Sequence, residues 1–322
     1  MDTVSVATPV DPVADLAEGH AARKIGQRQG GASAIRTLVL GAGYLGRALI
    51  ERYRADCRPL AHTFCARRRL SDSTRYNLLV DDPGLIDKVF APETIILTAK
   101  FEEGGGLDRI ADGAKKFFSA HRGKRIVYVS SDAVFDGKRG NYTEIEQPTP
   151  ATQYGASKLR CEELLSDLVP DHCVVRTSYI FGYSCGELDG RLAEAVGKLV
   201  RNETFDRYVN MYKSPIEVNR LAEILVAIAD STWTGILHAG GPRTSVFDFF
   251  RDAMAGLGHP TDCLRPVRMP DTLRRERLAD TSLDSSLLNR TFGMAPVPVA
   301  QAFDNVCRLG TSSRLAADPV DP

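Results

Sequence analysis

The chain has 322 residues, with 41 Lys+Arg against 41 Asp+Glu, 43% hydrophobic and 25% charged residues. That length supplies one large or two modest domains, and the balanced charge excludes the basic excess of a nucleic-acid-binding surface. No run approaches the roughly 18 apolar residues of a membrane span, and the seven cysteines are scattered without a CxxC pair, so neither a disulfide framework nor a zinc site is expected. Met1–Ala34 lacks the charged start and apolar core of a secretory signal. The expectation is a cytoplasmic enzyme of small molecules with no nucleic acid, membrane or metal partner.

Residues 1–34 and 311–322 are rich in Ala, Gly, Pro and Asp and read as disordered tails. Between them, β-rich runs alternate with helical patterns. Arg36–Leu40 reads as a first strand, and Tyr44–Tyr53 follows with Leu45, Ala48, Leu49 and Ile50 at helical spacing. Pro59–Thr63 is a weaker strand, and Asp82–Pro83 opens a helix through Phe90. Thr94–Thr98 and Arg125–Ser130 are continuously apolar strands, as a sheet covered on both faces requires, with a helix over Arg109–Ala120 between them. Thr152–Leu168 predicts a long helix and Cys173–Arg176 a further buried strand. This alternation predicts right-handed parallel crossovers in an α/β, Rossmann-type doubly wound sheet over residues 35–182.

After Phe181 the pattern loosens. Helices at Arg191–Val200 and Val218–Ala229 flank an aromatic segment, Phe205–Tyr212. Gly235–Ala239 is a short strand, Ser245 opens a helix, and a final helix lies around Val299, with Ala300–Cys307 as its core. Residues 183–310 are expected to form a smaller α/β substrate-binding cap with segments returning to the sheet.

Two motifs carry chemistry. Leu38–Gly46 reads strand, glycine turn, helix: Gly41 permits the tight turn, Gly43 a close backbone approach to a pyrophosphate, and Gly46 close helix–strand packing. Tyr44 and Leu45 belong to the same turn, and Ala99, at the end of Thr94–Thr98, joins the expected cofactor set. The second strand ends without the Asp or Glu that would bind a ribose 2′-hydroxyl. Arg67, Arg68 and Arg69 follow instead, and a guanidinium there suits a 2′-phosphate, which favours NADP(H) over NAD(H) through Arg67 or Arg68.

The second motif is Tyr154–Gly155–Ala156–Ser157–Lys158, which puts Tyr154 and Lys158 on one helical face. An ammonium beside a phenol stabilises the phenolate, so Tyr154 can pass a proton to a developing alkoxide. Ser131 ends the strand RIVYVS and can polarise a carbonyl, whereas Asp132 is expected to order the loop.

GAGYLG, VYVSSDAVFDGKRGNYTE, PATQYGASKLRCEE and VVRTSYIFG together resemble the extended short-chain dehydrogenase/reductases, within them the dTDP-4-dehydrorhamnose reductase branch, over about Arg36 to Leu309. The resemblance implies a catalytic set of Ser131, Tyr154 and Lys158. Lys158 would also bind the nicotinamide ribose, and the substrate would be a nucleotide-linked 4-keto-6-deoxy sugar. Four departures stand out. Ala133 replaces the loop tyrosine, Tyr179 replaces a tryptophan, Lys213–Ser214–Pro215–Ile216 replaces Gly-Ser-Pro-Thr, and the glycine turn is one residue short of GxxGxxG. Ser131, Ala133, Phe135 and Tyr179 are the candidate substrate wall. The related 4,6-dehydratases use Thr-Asp-Glu where this chain has Ser131–Asp132–Ala133, so the base for dehydration is missing. A sugar-nucleotide epimerase and a non-catalytic NADP-binding regulatory subunit are the alternatives on this scaffold, and a homodimer is compatible with it.

Overall fold

The computed structural model describes residues 37–64, 74–101, 106–276 and 278–303. The expected tails, Arg67–Arg69 and the end of the last helix beyond Phe303 lie outside the described residues. Seven parallel strands form the main sheet: β1 (Thr37–Leu40), β2 (Leu60–Phe64), β3 (Thr74–Arg75), β4 (Thr94–Leu97), β5 (Arg125–Ser131), β6 (His172–Thr177) and β7 (Gly235–Ala239). Their order across the sheet is β7-β6-β5-β4-β1-β2-β3. The order reverses beside β1, which pairs β2 on one side and β4 on the other. A doubly wound sheet opens a ligand crevice at that switch point, outside the carboxyl ends of its strands.

The strands form where the sequence is apolar without interruption, because both faces of the sheet are covered. Side chains alternate between two cores. Val39, Ile96, Val127, Val175 and Leu237 pack with helices α1 (Tyr44–Ala55) and, later in the chain, Val218–Asp230. Leu38, Leu40, Ile95, Leu97, Ile126 and Val174 face the other way. They pack with Phe117, Phe118, Leu164 and Leu165, from Leu107–Ala120 and Gln153–Leu168. In chain order, α2 is Gly84–Val89, α3 Leu107–Ala120, α4 Gln153–Leu168, α5 Gly190–Val200, α6 Val218–Asp230, α7 Val246–Gly256, α8 Asp271–Glu276 and α9 Ser286–Phe292.

Side-chain caps set several helix starts. Thr152 Oγ1 accepts from the Gly155 N–H at 3.0 Å, and Asp189 and Ser245 cap α5 and α7 in the same way.

The smaller unit has its own core, in which Phe181, Leu192, Phe205, Phe249, Phe250, Leu264 and Phe303 meet. Phe205–Tyr208, within the aromatic segment, is a strand paired in parallel with Leu264–Val267. The helices α8 and α9 sit where the sequence reads only as polar turns. They span 6 and 7 residues, too short to show a helical period. The cap is not sequentially separate, since β7 and α6 complete the main sheet and its core. Among the described residues no helix is long and apolar enough to cross a membrane.

Candidate active site

A cleft of about 700 Å³ opens along the carboxyl ends of the strands. Gly41, Gly43, Tyr44, Leu45, Gly46 and Ala99 line one part of it, and Ser131, Tyr154 and Lys158 another. The fold therefore joins both sequence motifs in one cavity.

The glycine turn is shaped by contact with β4. Gly41 has φ +111°, and a Cβ there would lie 2.6 Å from the Ala99 nitrogen. The Ala99 N–H donates to the Leu40 carbonyl at 2.9 Å, and Thr98 Oγ1 donates to the Gly41 carbonyl at 2.6 Å. A Cβ on Gly46 would fall onto the Gly41 carbonyl oxygen, so only glycine lets α1 start this close to β1. At Gly43, by contrast, the space around a Cβ is open to 4 Å among the described residues. The first turn of α1, Tyr44–Arg47, holds no Asp or Glu. No carboxylate there opposes an anion at the positive dipole end, and the residues present fit a dinucleotide pyrophosphate. Gly46→Ala is expected to abolish binding of a nicotinamide dinucleotide, measured by fluorescence titration with NADPH and NADH, while far-UV circular dichroism keeps its α/β form; unchanged affinity would contradict the tight-packing role.

Tyr44 does more than fill the turn. Its hydroxyl donates to the Gly182 carbonyl at 2.7 Å, while Ser184 Oγ donates to the Tyr44 carbonyl at 2.7 Å. Burial, with Asp189 and Glu217 nearby, pushes its phenol far up, so it serves as a neutral tether between the turn and the 180–188 segment.

Ser131, Tyr154 and Lys158 are placed by β5 and α4. A Cβ on Gly155 would fall onto the Ala133 carbonyl oxygen, so α4 begins flush against the short turn Asp132–Val134 that follows β5. Tyr154 is 38% exposed, into the cleft, while Lys158 is 5% exposed. Lys158 Nζ donates to the Val129 carbonyl at 3.3 Å and stands 5.9 Å from the centre of the Tyr154 ring. Ser131 Oγ donates to Asp132 Oδ1 at 3.1 Å and accepts from the Ala133 N–H at 3.2 Å. A phenol with an ammonium beside it and a hydroxyl on the same cavity wall can hold a carbonyl oxygen and deliver a proton to it. Beneath them lies a buried ion pair. Arg176 Nη2 donates to Glu162 Oε2 at 2.7 Å, and Ser130 Oγ donates to Glu162 Oε1.

The candidate substrate wall is placed less uniformly. Phe135 is fully buried, its ring stacked on Tyr142 at 4.2 Å with the Arg176 guanidinium 5.2 Å away. It is a core residue with no surface to offer a ligand, which corrects its placement on that wall. Ala133 is 7% exposed and does not line the cleft. Tyr179 is half-buried between Arg191, 4.3 Å from its ring centre, and Phe249; its neighbours Ser178 and Ile180 reach the cleft instead. Sequence reasoning missed Lys100, whose Nζ lies 5.6 Å from the Tyr154 ring centre, and also Asn77, Thr98 and Ser178. Lys100 follows β4, and a cation just past a strand's carboxyl end was the available signal.

Known proteins resemble this chain in sequence and in fold. The RmlD substrate binding domain family matches residues 106–309. A dTDP-4-dehydrorhamnose reductase from Aggregatibacter actinomycetemcomitans is 30% identical over 217 residues, 62% of this chain and 70% of that protein. A dTDP-4-keto-6-deoxy-D-glucose reductase from Streptomyces niveus is 28% identical over 254 residues, 72% of this chain and 82% of its own length. Among solved structures, a dTDP-4-dehydrorhamnose reductase from Bacillus anthracis in complex with NADP superposes with a TM-score of 0.66 at 19% identity, covering 87% of this chain and 100% of that one. Because the family match spans more than half of its length, the chain belongs to the RmlD substrate-binding domain family, among the oxidoreductases of the extended short-chain dehydrogenase/reductase type.

Proposed function

We propose that the protein reduces a keto group on a nucleotide-activated deoxysugar, with NADPH as the reductant. The observation that carries this reading is the single cleft shared by the dinucleotide turn and by Ser131, Tyr154 and Lys158. The names of the two relatives and the NADP bound in the Bacillus anthracis structure support it.

A reduced nicotinamide, when bound, supplies hydride to the carbonyl carbon. Gly41–Gly46 would hold its pyrophosphate on the α1 N-terminus, and Lys158 its ribose. Ser131 orients the keto oxygen, Tyr154 gives that oxygen its proton, and Lys158 stabilises the resulting phenolate. Arg67 or Arg68 would take the 2′-phosphate. Ala133 offers no carboxylate where a dehydratase needs a base.

The test is a panel of nucleotide-linked 4-keto sugars and small ketones, followed by NADPH absorbance. Stoichiometric NADPH oxidation is expected, with NADPH binding tighter than NADH by fluorescence titration and Arg67→Ala/Arg68→Ala removing the difference. Isomerisation without net oxidation would instead identify an epimerase. NADPH binding without turnover, together with a copurifying protein, would identify a regulatory subunit.

A further inference from the structure

The fold buries Lys213 to 6% exposure. Its ammonium points at the back of the catalytic wall. Lys213 Nζ donates to Asp132 Oδ2 at 3.2 Å and to Thr281 Oγ1 at 2.5 Å; Thr281 Oγ1 in turn donates to the same Oδ2 at 2.5 Å. Ser178 Oγ donates to Oδ2 as well, at 2.9 Å. The other carboxylate oxygen, Oδ1, accepts from Ser131 Oγ. Asp132 and Thr281 are buried too, at 6% and 0% exposure. Three donors from beyond β6 thus converge on one carboxylate whose remaining oxygen holds the catalytic hydroxyl.

This arrangement has an electrostatic consequence for the reduction. A bare buried carboxylate beside Ser131 would hold the serine proton to itself and oppose the negative charge growing on a nearby keto oxygen. An ammonium at 3.2 Å draws that charge to Oδ2, the side away from Ser131. We propose that Lys213 is a positioning residue for catalysis: by compensating Asp132 it releases the Ser131 hydroxyl to donate to the substrate's keto oxygen. This role rests on the reductase reading above. It also makes the smaller unit part of the catalytic array, since Lys213 and Thr281 both lie outside residues 35–182.

The experiment uses the full chain with a ketone that the wild type reduces, comparing Lys213→Met, Lys213→Arg, Asp132→Asn and the Lys213→Met/Asp132→Asn double variant. Lys213→Met should lower kcat by about tenfold or more, the scale of a weakened oxyanion donor, with KM for the ketone and Kd for NADPH within about twofold. Lys213→Arg should keep most of the activity. The double variant should be faster than Lys213→Met alone, because the uncompensated carboxylate is gone. That recovery separates charge compensation from simple damage to the fold, which a second substitution in the same buried cluster would deepen. Unchanged kcat in Lys213→Met, or a double variant slowed by the product of the single effects, overturns the role. A wild type inert toward every ketone overturns the reductase reading and this role with it. Turnover that ignores Lys213 overturns this role alone.

Discussion

Replacing Tyr154 by phenylalanine is expected to reduce turnover by about 10²–10⁴-fold, the range contributed by a positioned general acid, while NADPH binds with near wild-type affinity. The separation of the two effects follows from exposure. The Tyr154 side chain projects into the cleft at 38% exposure, so losing its hydroxyl leaves no large buried cavity. The backbone that places it, capped by Thr152 and seated on the Ala133 carbonyl, is untouched. Lys158→Met should behave differently, because the buried ammonium also bonds the Val129 carbonyl, and it should weaken both turnover and NADPH binding. Stopped-flow measurement of NADPH oxidation with fluorescence titration of the same samples checks both. Retained turnover in Tyr154→Phe would refute the proton-donor assignment.

The second large effect is on stability. Arg176→Met is expected to cost about 3–5 kcal/mol, because it strands the Glu162 carboxylate inside the protein. Glu162 and Arg176 are 4% and 1% exposed, and the guanidinium reaches the carboxylate through both Nε and Nη2. At about 2 °C per kcal/mol for a chain of this size, the melting temperature should fall by roughly 6–10 °C. The Glu162→Leu/Arg176→Met double variant should recover much of that loss, since an apolar pair of similar volume leaves no charge to solvate. Glu162 lies one helical turn beyond Lys158, so the single variant should also lose activity as α4 loosens against β5 and β6. A change below about 1 kcal/mol in Arg176→Met would show that the pair does not anchor the helix.

What could be read from the sequence follows the range of the forces involved. The sheet strands announce themselves because each is a local apolar run, and the glycine turn because its constraints fall within six residues. Tyr154 and Lys158 are legible as one helical turn. The Phe205–Tyr208 strand is not, because its partner Leu264–Val267 is 59 residues away and the pairing gives it its form. Phe135 is misread for a related reason. The turn at Asp132–Val134 redirects the chain after β5, so strand alternation no longer tells which way the ring points, and Tyr142 folds back to cover it. Lys213 looks like a surface lysine until Asp132, 81 residues earlier, is placed beside it.

The stitching of the cap to the sheet bears on how the protein comes into being. The Tyr142 N–H donates to the Ser282 carbonyl and the Asp280 N–H to the Gly137 carbonyl, while β7 closes the sheet against β6 about 60 residues after β6 ends. During synthesis the glycine turn, Ser131, Tyr154 and Lys158 therefore leave the ribosome long before the segments that complete their surroundings. Contacts of such long sequence separation form late because their loop entropy must first be overcome. Until residues 235–239 arrive a nascent chain has an open β6 edge, and until residues 280–283 arrive its Asp132 lacks Thr281. The glycine turn waits for Gly182 and Ser184 to tether Tyr44, and the surroundings of Asp132 wait about a hundred residues longer, for Thr281.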